Sequence, residues 1–243
     1  MYGLWILLIL ILVSSLPVIA VYVWFRLAKY QFYLIRFLFA LLAGAAAFFP
    51  ALILQSILNF SLSASGRAAL LYYVFVRIAL TEELSRLLML FIFFWISSRL
   101  KPQTDFSRPL SYNVIKKGTA TGLVAGLGFS ILESAVYAAS DISVLLLRVV
   151  TAALHAACGS RIGAAAVLFR SNPIQALFRV LAAVAIHGVY NFMVVIPGFL
   201  PSIAAVLIAL SALSTSILTI RGGWVEDQSS AAAPQGLPTG FKS

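Results

Sequence analysis

Charged residues are scarce in this chain: they make up 10% of its 243 residues, whereas 62% are hydrophobic. A soluble globular domain carries about 25% charged residues, so this class of protein is excluded. The apolar runs are continuous and do not alternate with polar residues, which excludes an outer-membrane barrel. The sequence therefore predicts an all-α fold, a polytopic bundle of transmembrane helices.

Cysteine occurs once, as Cys158, which excludes an intrachain disulfide. Residues 1–20 have an apolar core but no basic segment before it and no clear cleavage site, so they are predicted to form a retained first span. Residues 222–243 are rich in Ser, Ala, Pro and Gly and are predicted to be a disordered cytoplasmic tail. No connection is long enough for a soluble domain, so we expect the chemistry to take place in or at the membrane.

About seven spans are predicted within one membrane domain, residues 1–221. They lie near residues 3–25, 33–58, 69–97, 115–138, 142–169, 175–196 and 200–220. Lys and Arg concentrate in the odd-numbered connections, which places the N-terminus outside and the C-terminus in the cytoplasm. The net charge of +10 is explained by these cytoplasmic loops, and no nucleic-acid partner is predicted.

The third predicted span contains an unusual polar segment, Thr81-Glu82-Glu83-Leu84-Ser85-Arg86. On a helix Arg86 lies three and four residues from the two carboxylates and can reach either one. Each charge at mid-membrane costs about 2.5–3.5 kcal/mol on insertion scales, so stability alone does not explain the cluster. The segment predicts a polar functional site inside the membrane.

Other ionisable residues fall in the neighbouring spans. The chain has seven acidic residues and two histidines; four of the acidic residues lie in connections or in the tail. The remaining members lie within spans three to six, residues 69–196: Glu82, Glu83, Glu133, His155 and His187. At 1.5 Å per residue these groups lie about 8–20 Å below the predicted outer face, so they can converge on one cavity.

Neighbouring residues add to this pattern. Phe129 lies one turn before Glu133, and Asn191 lies one turn after His187, each on the same helix face. An amide at residue 191 could orient the imidazole or donate to a developing oxyanion. Span four also carries Gly118, Gly122 and Gly126 at intervals of four, which predicts a face for close helix packing.

These motifs resemble the PrsW family of membrane-embedded proteases. The resemblance covers residues 81–191 and rests on the Glu82-Glu83-x-x-Arg86 helix, the segment from Gly128 to Glu133, and one histidine on each of two later spans. Two positions differ from the family pattern, Arg86 in place of Lys and Ser134 in place of a frequent Asn. The chain is also similar to the CAAX-protease-like group, and more distantly to the non-catalytic seven-span subunit of γ-secretase.

The resemblance implies a membrane-anchored protein substrate, the lipid bilayer as surroundings, and a multi-pass location in the bacterial inner membrane. It implies first-site cleavage of an anti-sigma factor in envelope-stress signalling. A CAAX-protease-like peptidase is an alternative. A non-catalytic transporter or scaffold with a buried polar network is another, because such proteins also bury carboxylates and histidines.

Two catalytic schemes fit the residues. In the glutamate scheme, Glu82 or Glu83 deprotonates water, Arg86 keeps its partner ionised and Asn191 assists the oxyanion. In the metal scheme, His155, His187 and Glu133 bind zinc, and the glutamate pair supplies the base. No HExxH motif fixes two ligands on one helix, so the sequence leaves both schemes open. We favour the metal-independent scheme on the sequence.

Overall fold

The computed structural model describes residues 2–30, 32–59, 66–100, 112–138 and 145–232, with side chains for 12–30, 32–59, 66–98, 113–136 and 148–222. All regular secondary structure in these ranges is helical. The helices are α1 (Tyr2–Leu27), α2 (Leu34–Ile57), α3 (Arg67–Leu71), α4 (Thr81–Leu100), α5 (Tyr112–Ala138), α6 (Leu145–Leu168), α7 (Pro173–Val195) and α8 (Phe199–Ala232).

The third predicted span is built from two helices joined by a π-helical segment. This segment, Tyr72–Leu80, follows α3 without a break and leads directly into α4 at Thr81. The sequence predicted a continuous helix here but gave no sign of the wider π turns. π-Helical turns are rare and often occur next to functional sites. Here the segment ends immediately before Glu82 and Glu83.

The seven predicted spans agree with this arrangement, since α3, the π segment and α4 form a single helical unit. Among the described helices, α2, α5, α6, α7 and α8 are long and apolar enough to cross a membrane. The unit containing α4 carries Glu82, Glu83 and Arg86, which lower its hydropathy. Helix α1 is not in this group because its described side chains begin at Leu12, which leaves the apolar stretch Leu12–Leu27.

The C-terminal helix is longer than predicted. The predicted last span ended near residue 220, but α8 continues to Ala232. Residues 222–232 are therefore helical where a disordered tail was predicted. The rest of that tail, residues 233–243, lies outside the described residues.

Helices α5 and α6 form the centre of the bundle. In their most apolar stretches 78% and 72% of the residues are buried, whereas in those of α2, α7 and α8 the buried share is 28–33%. Around this pair, α5 contacts α1, α2 and α8, whereas α6 contacts α4, α7 and α8. Exposed leucines, isoleucines and phenylalanines cover the outer helices. This distribution suits a bundle whose outer surface faces lipid.

The predicted glycine face on α5 packs against α6. A Cβ atom on Gly122 would collide with the backbone of Gly159 and Gly163, and one on Gly126 would collide with the backbone of His155. Small residues allow two helix backbones to approach closely in a membrane. The same contact fixes the position of His155 relative to α5, and hence to Glu133.

The orientation in the membrane remains a prediction that cysteine labelling can check. Ser171 lies exposed in the α6–α7 turn, and Ser202 lies exposed near the start of α8, at the opposite end of the bundle. With the N-terminus outside, an impermeant maleimide added to intact cells should label Ser202→Cys but not Ser171→Cys. Native Cys158 is buried, so it should not react. The reverse labelling pattern would contradict the predicted orientation.

Candidate active site

The predicted polar residues of spans three to six come together in the structure. Helix α4 contributes Glu82, Glu83 and Arg86, whereas α5, α6 and α7 contribute one residue each, Glu133, His155 and His187. All six side chains are buried, and Glu83 and His155 have no exposed surface. Buried charges are costly unless they are paired, so their mutual contacts decide how the cluster is held together.

Glu83 is the centre of one half of the cluster. Its Oε1 atom lies 2.7 Å from Nη2 of Arg86 and 2.8 Å from Nδ1 of His187. Nη2 of Arg86 also lies 3.5 Å from Oε2 of Glu82. The guanidinium thus neutralises charge on both adjacent carboxylates, while Glu83 connects α4 to α7.

Glu133 is the centre of the other half. Its Oε2 atom lies 2.8 Å from Nε2 of His155 and 3.6 Å from Nη1 of Arg148. Arg148 is near the start of α6, so the carboxylate joins α5 to two positions on that helix. Glu133 and His155, which the sequence placed on spans four and five, are therefore in direct contact.

These contacts fix the tautomers of both histidines. Ionised carboxylates only accept hydrogen bonds, so Nδ1–H of His187 donates to Glu83 and Nε2–H of His155 donates to Glu133. Nδ1 of His155 is buried and has no hydrogen-bond partner among the described residues. The two rings lie close together, with centroids 5.2 Å apart at an angle of 87°. Each imidazole therefore keeps one nitrogen lone pair available.

Glu82 completes a group suited to a metal ion. Ligand atoms of Glu82, His155 and His187 all lie within 4.8 Å of one another. Nε2 of His187 lies 3.7 Å from Oε2 of Glu82. Two imidazoles and one carboxylate are a donor set that zinc accepts at catalytic sites. The orphaned lone pair of His155 is the kind of atom that a metal ion would satisfy, so the residues fit the ion.

This set differs from the predicted ligands in its carboxylate. The sequence suggested His155, His187 and Glu133, but Glu133 is not part of the group within 4.8 Å and instead accepts a hydrogen bond from Nε2 of His155. Metal-binding histidines almost always donate their second N–H to a carboxylate or carbonyl, which fixes ring orientation. Glu133 and Glu83 occupy that supporting position for His155 and His187.

Phe129, the aromatic residue one turn before Glu133, contacts two members of the cluster. The Cζ atom of Arg86 lies 4.7 Å from the centre of the Phe129 ring, and the His155 ring centroid lies 5.2 Å away. The ring thus packs against both the guanidinium and the imidazole. A cation over an aromatic face is stabilised by about 0.5–2 kcal/mol, more when desolvated.

A cavity of about 60 Å³ reaches the cluster from between α2, α4 and α5. Glu82, Glu133 and Phe129 line it, together with Gln55 of α2. Nε2 of Gln55 donates to Oε1 of Glu82 at 3.2 Å, and the backbone carbonyl of Gln55 accepts from Nε of Arg77 at 3.1 Å. The sequence analysis missed Gln55, although an amide within an apolar span was a signal that could have identified it.

Two residues named from the sequence, Asn191 and Ser134, make none of the contacts within the cluster. Asn191 is half-buried one turn beyond His187 and is not among the residues that line the cavity. Its side chain makes no hydrogen bond in the described part of the chain. Ser134, which replaces a frequent Asn of the resembled family, is buried, and its hydroxyl has no partner among the described residues. Neither residue contributes to the contacts that hold the cluster together.

The comparison with known protein families identifies the chain's family. The family model described as "PrsW family intramembrane metalloprotease" matches residues 34–215, which is most of the chain. The matched range includes α2 to α7 and part of α8, and therefore every residue of the cluster and of the adjoining cavity. No curated protein and no solved structure was found to match.

Proposed function

Because the chain belongs to the PrsW family of intramembrane metalloproteases, we propose that its Glu82, His155 and His187 cluster binds the catalytic metal ion. The protein is a membrane-embedded protease with a membrane-protein substrate. The observation that carries the proposal is the meeting of Glu82, His155 and His187, whose ligand atoms lie within 4.8 Å of one another, while Nδ1 of the buried His155 has no hydrogen-bond partner among the described residues. We infer zinc, because a His₂Glu donor set with an open position is a catalytic zinc arrangement.

The proposal revises the preference for a metal-independent scheme. In that scheme His155 or His187 held the attacking water beside Glu82 or Glu83, whereas here each histidine uses one nitrogen for a carboxylate, the support that metal-binding histidines have. Both carboxylate partners also come from helices other than the histidine's own. This arrangement favours metal binding over a purely glutamate-based site.

We propose that Glu133 acts as the general base. When bound, a metal ion at this site supplies Lewis-acid activation of water and of the scissile carbonyl. Glu133 lines the cavity and takes a proton from the attacking water, whose oxygen then adds to the peptide carbon. The C–N bond breaks, and Glu133 returns the proton to the leaving amine nitrogen. Gln55 donates only one N–H to Glu82, so its other N–H is available for the developing oxyanion.

A membrane-anchored substrate fits the position of the cavity. The cavity lies between α2, α4 and α5, and Glu133 is about 8 Å from the end of α5 at Ala138. With the predicted orientation, that end faces outward, so cleavage takes place near the outer surface of the membrane. This is compatible with first-site cleavage of a single-span anti-sigma factor in the bacterial inner membrane, as the resemblance implies.

Cleavage of a candidate single-span substrate in proteoliposomes tests the proposed function. The Glu82→Gln/Glu83→Gln variant is expected to lose at least about 10²-fold in cleavage rate, since it removes a proposed ligand and the partner of His187. Leu84→Ala, a change at a 41%-exposed residue on the same helix, serves as the control and should cleave like the wild type. Cleavage by the double-glutamine variant at the wild-type rate would exclude the proposed site.

A further inference from the structure

Helices α6 and α7, which carry the two histidines, are also joined by a buried pair of hydroxyl groups. The hydroxyl oxygens of Thr151 of α6 and Tyr190 of α7 lie 3.0 Å apart, so the two groups are hydrogen-bonded. Both residues are buried, with 7% and 2% of their surface exposed. Neither residue lines the active-site cavity or belongs to the proposed metal ligands. The bond therefore connects the two histidine helices without being part of the cluster itself.

This hydroxyl pair lies one turn away from the histidine pair along both helices. Thr151 is four residues before His155 and Tyr190 is three residues after His187, so each hydroxyl shares a helix face with the histidine of its own helix. Only residues 169–172 separate α6 from α7, so the helices are antiparallel and both offsets point the same way along the bundle. The offsets are about 6 Å and about 4.5 Å at 1.5 Å per residue. The hydroxyl bond is thus next to the paired imidazoles.

The other contacts of α7 around His187 are less directional. One turn away in the opposite direction, Sγ of Cys158 lies 3.6 Å from the carbonyl oxygen of Ala183, and a thiol is only a weak donor. Beside the histidine, Gly188 packs against the π segment, where a Cβ atom at residue 188 would collide with the ring of Phe75. Apolar packing limits how closely two helices approach, but it has no preferred direction. Of the two hydrogen bonds described here between α6 and α7, the hydroxyl bond is the shorter.

We infer that Thr151 and Tyr190 are positioning residues, which hold His155 and His187 at the separation that a metal ion requires. This inference rests on the proposed metal site. Metal–ligand distances vary by only about 0.2 Å, so two ligands on different helices need those helices to be fixed against each other. The two supporting carboxylates orient the rings but belong to α4 and α5. The hydroxyl bond links α6 to α7 directly.

Cobalt binding to the metal-free, detergent-purified full-length protein tests the inference. Co²⁺ accepts the same imidazole and carboxylate ligands as Zn²⁺, and its visible absorption depends on the ligand geometry. Tyr190→Phe and Thr151→Val each remove the hydrogen bond but keep the shape of the side chain. Each variant should bind Co²⁺ about 10-fold more weakly than the wild type and with an altered spectrum. The double variant should be no weaker than either single one, because the same bond is lost in all three.

Two further variants separate positioning from a general loosening of the bundle. Thr151→Ser keeps the hydroxyl and should restore the Co²⁺ affinity and spectrum of the wild type. Ser160→Ala is the matched control, because the hydroxyl of Ser160 lies 2.6 Å from that of Ser216 and forms another buried pair, between α6 and α8. Its loss should leave the affinity within about 2-fold of the wild type and the spectrum unchanged, since α8 carries none of the proposed ligands.

The possible results distinguish this inference from the proposed function. A wild-type protein that binds no Co²⁺ would overturn the proposed metal site and this inference with it. Wild-type binding that Tyr190→Phe and Thr151→Val leave unchanged in affinity and spectrum would overturn the inference alone. An equal loss in Ser160→Ala would also overturn it, because any buried hydroxyl pair would then matter as much. If Tyr190→Phe does not fold, the comparison of Thr151→Val with Thr151→Ser decides.

Discussion

Replacing His155 with alanine is expected to remove the bound metal and the cleavage activity together. His155 supplies the buried nitrogen that has no partner among the described residues, and it lies within 4.8 Å of the other two proposed ligands. With one of three protein ligands gone, the open catalytic geometry cannot form, and the loss in cleavage rate should be about 10³-fold or more. Metal content of the purified protein and substrate cleavage in proteoliposomes are the measurements.

The Glu133→Gln variant tests whether Glu133 is itself a metal ligand or only supports the ligand His155. The variant should bind metal about 10–100-fold more weakly but should reach full occupancy at saturating zinc, because Glu133 contacts His155 and is not itself a ligand. Cleavage should remain low even with the metal bound, since the proposed base is lost. Full activity in a metal-free, chelator-treated wild type would instead restore the metal-independent scheme. Complete loss of metal at any zinc concentration would make Glu133 a ligand, as the sequence first suggested.

Replacing Arg86 with leucine is expected to cause the largest loss of stability. Arg86 is buried and neutralises Glu83 at 2.7 Å and Glu82 at 3.5 Å. Removing one partner of a buried ion pair leaves an uncompensated charge and costs about 3–5 kcal/mol. The midpoint and free energy of unfolding in detergent would measure this loss.

The double variant Glu83→Leu/Arg86→Leu tests the cause of that loss. It removes Arg86 together with the nearer of its two carboxylates, so it should recover part of the stability. The recovery should be incomplete, because Glu82 still lacks the guanidinium and His187 loses its contact with Glu83. Leu84→Ala is the control, because Leu84 is exposed and a change there should alter stability by only about 0.5 kcal/mol. An Arg86→Leu protein as stable as the wild type would show that the ion pair does not hold the helices in place.

The polar site could be predicted from the sequence because polar residues are so few. In a chain with seven acidic residues and two histidines, each ionisable group within a span is conspicuous. Such groups are costly inside a bilayer and usually serve a function. The order Glu82-Glu83, Glu133, His155 and His187 on successive spans also indicated which helices must meet. Continuous apolar runs predicted the helices themselves, because every backbone group within a bilayer has to be bonded internally.

Helix boundaries were predicted well where composition changes sharply and poorly where it does not. The predicted span 175–196 corresponds to α7, Pro173–Val195. Proline begins this helix, and Oδ1 of Asn172 caps it by accepting a hydrogen bond from the backbone N–H of Gln175. The π segment Tyr72–Leu80 left no trace in the pattern, because its residues are as apolar as those of an ordinary span.

The proposal of Glu82 as the ligand carboxylate rests only on the tertiary structure. Sequence spacing says which residues share one face of a helix, but the rotation of α4 and α5 against α6 depends on how their surfaces pack. The backbone of His155 is pressed against Gly126, which fixes α6 against α5 and sets Glu133 beside Nε2 of that histidine. Gln55 stood out in the sequence only as an amide within an apolar span, and its contact with Glu82 arises between helices distant along the chain.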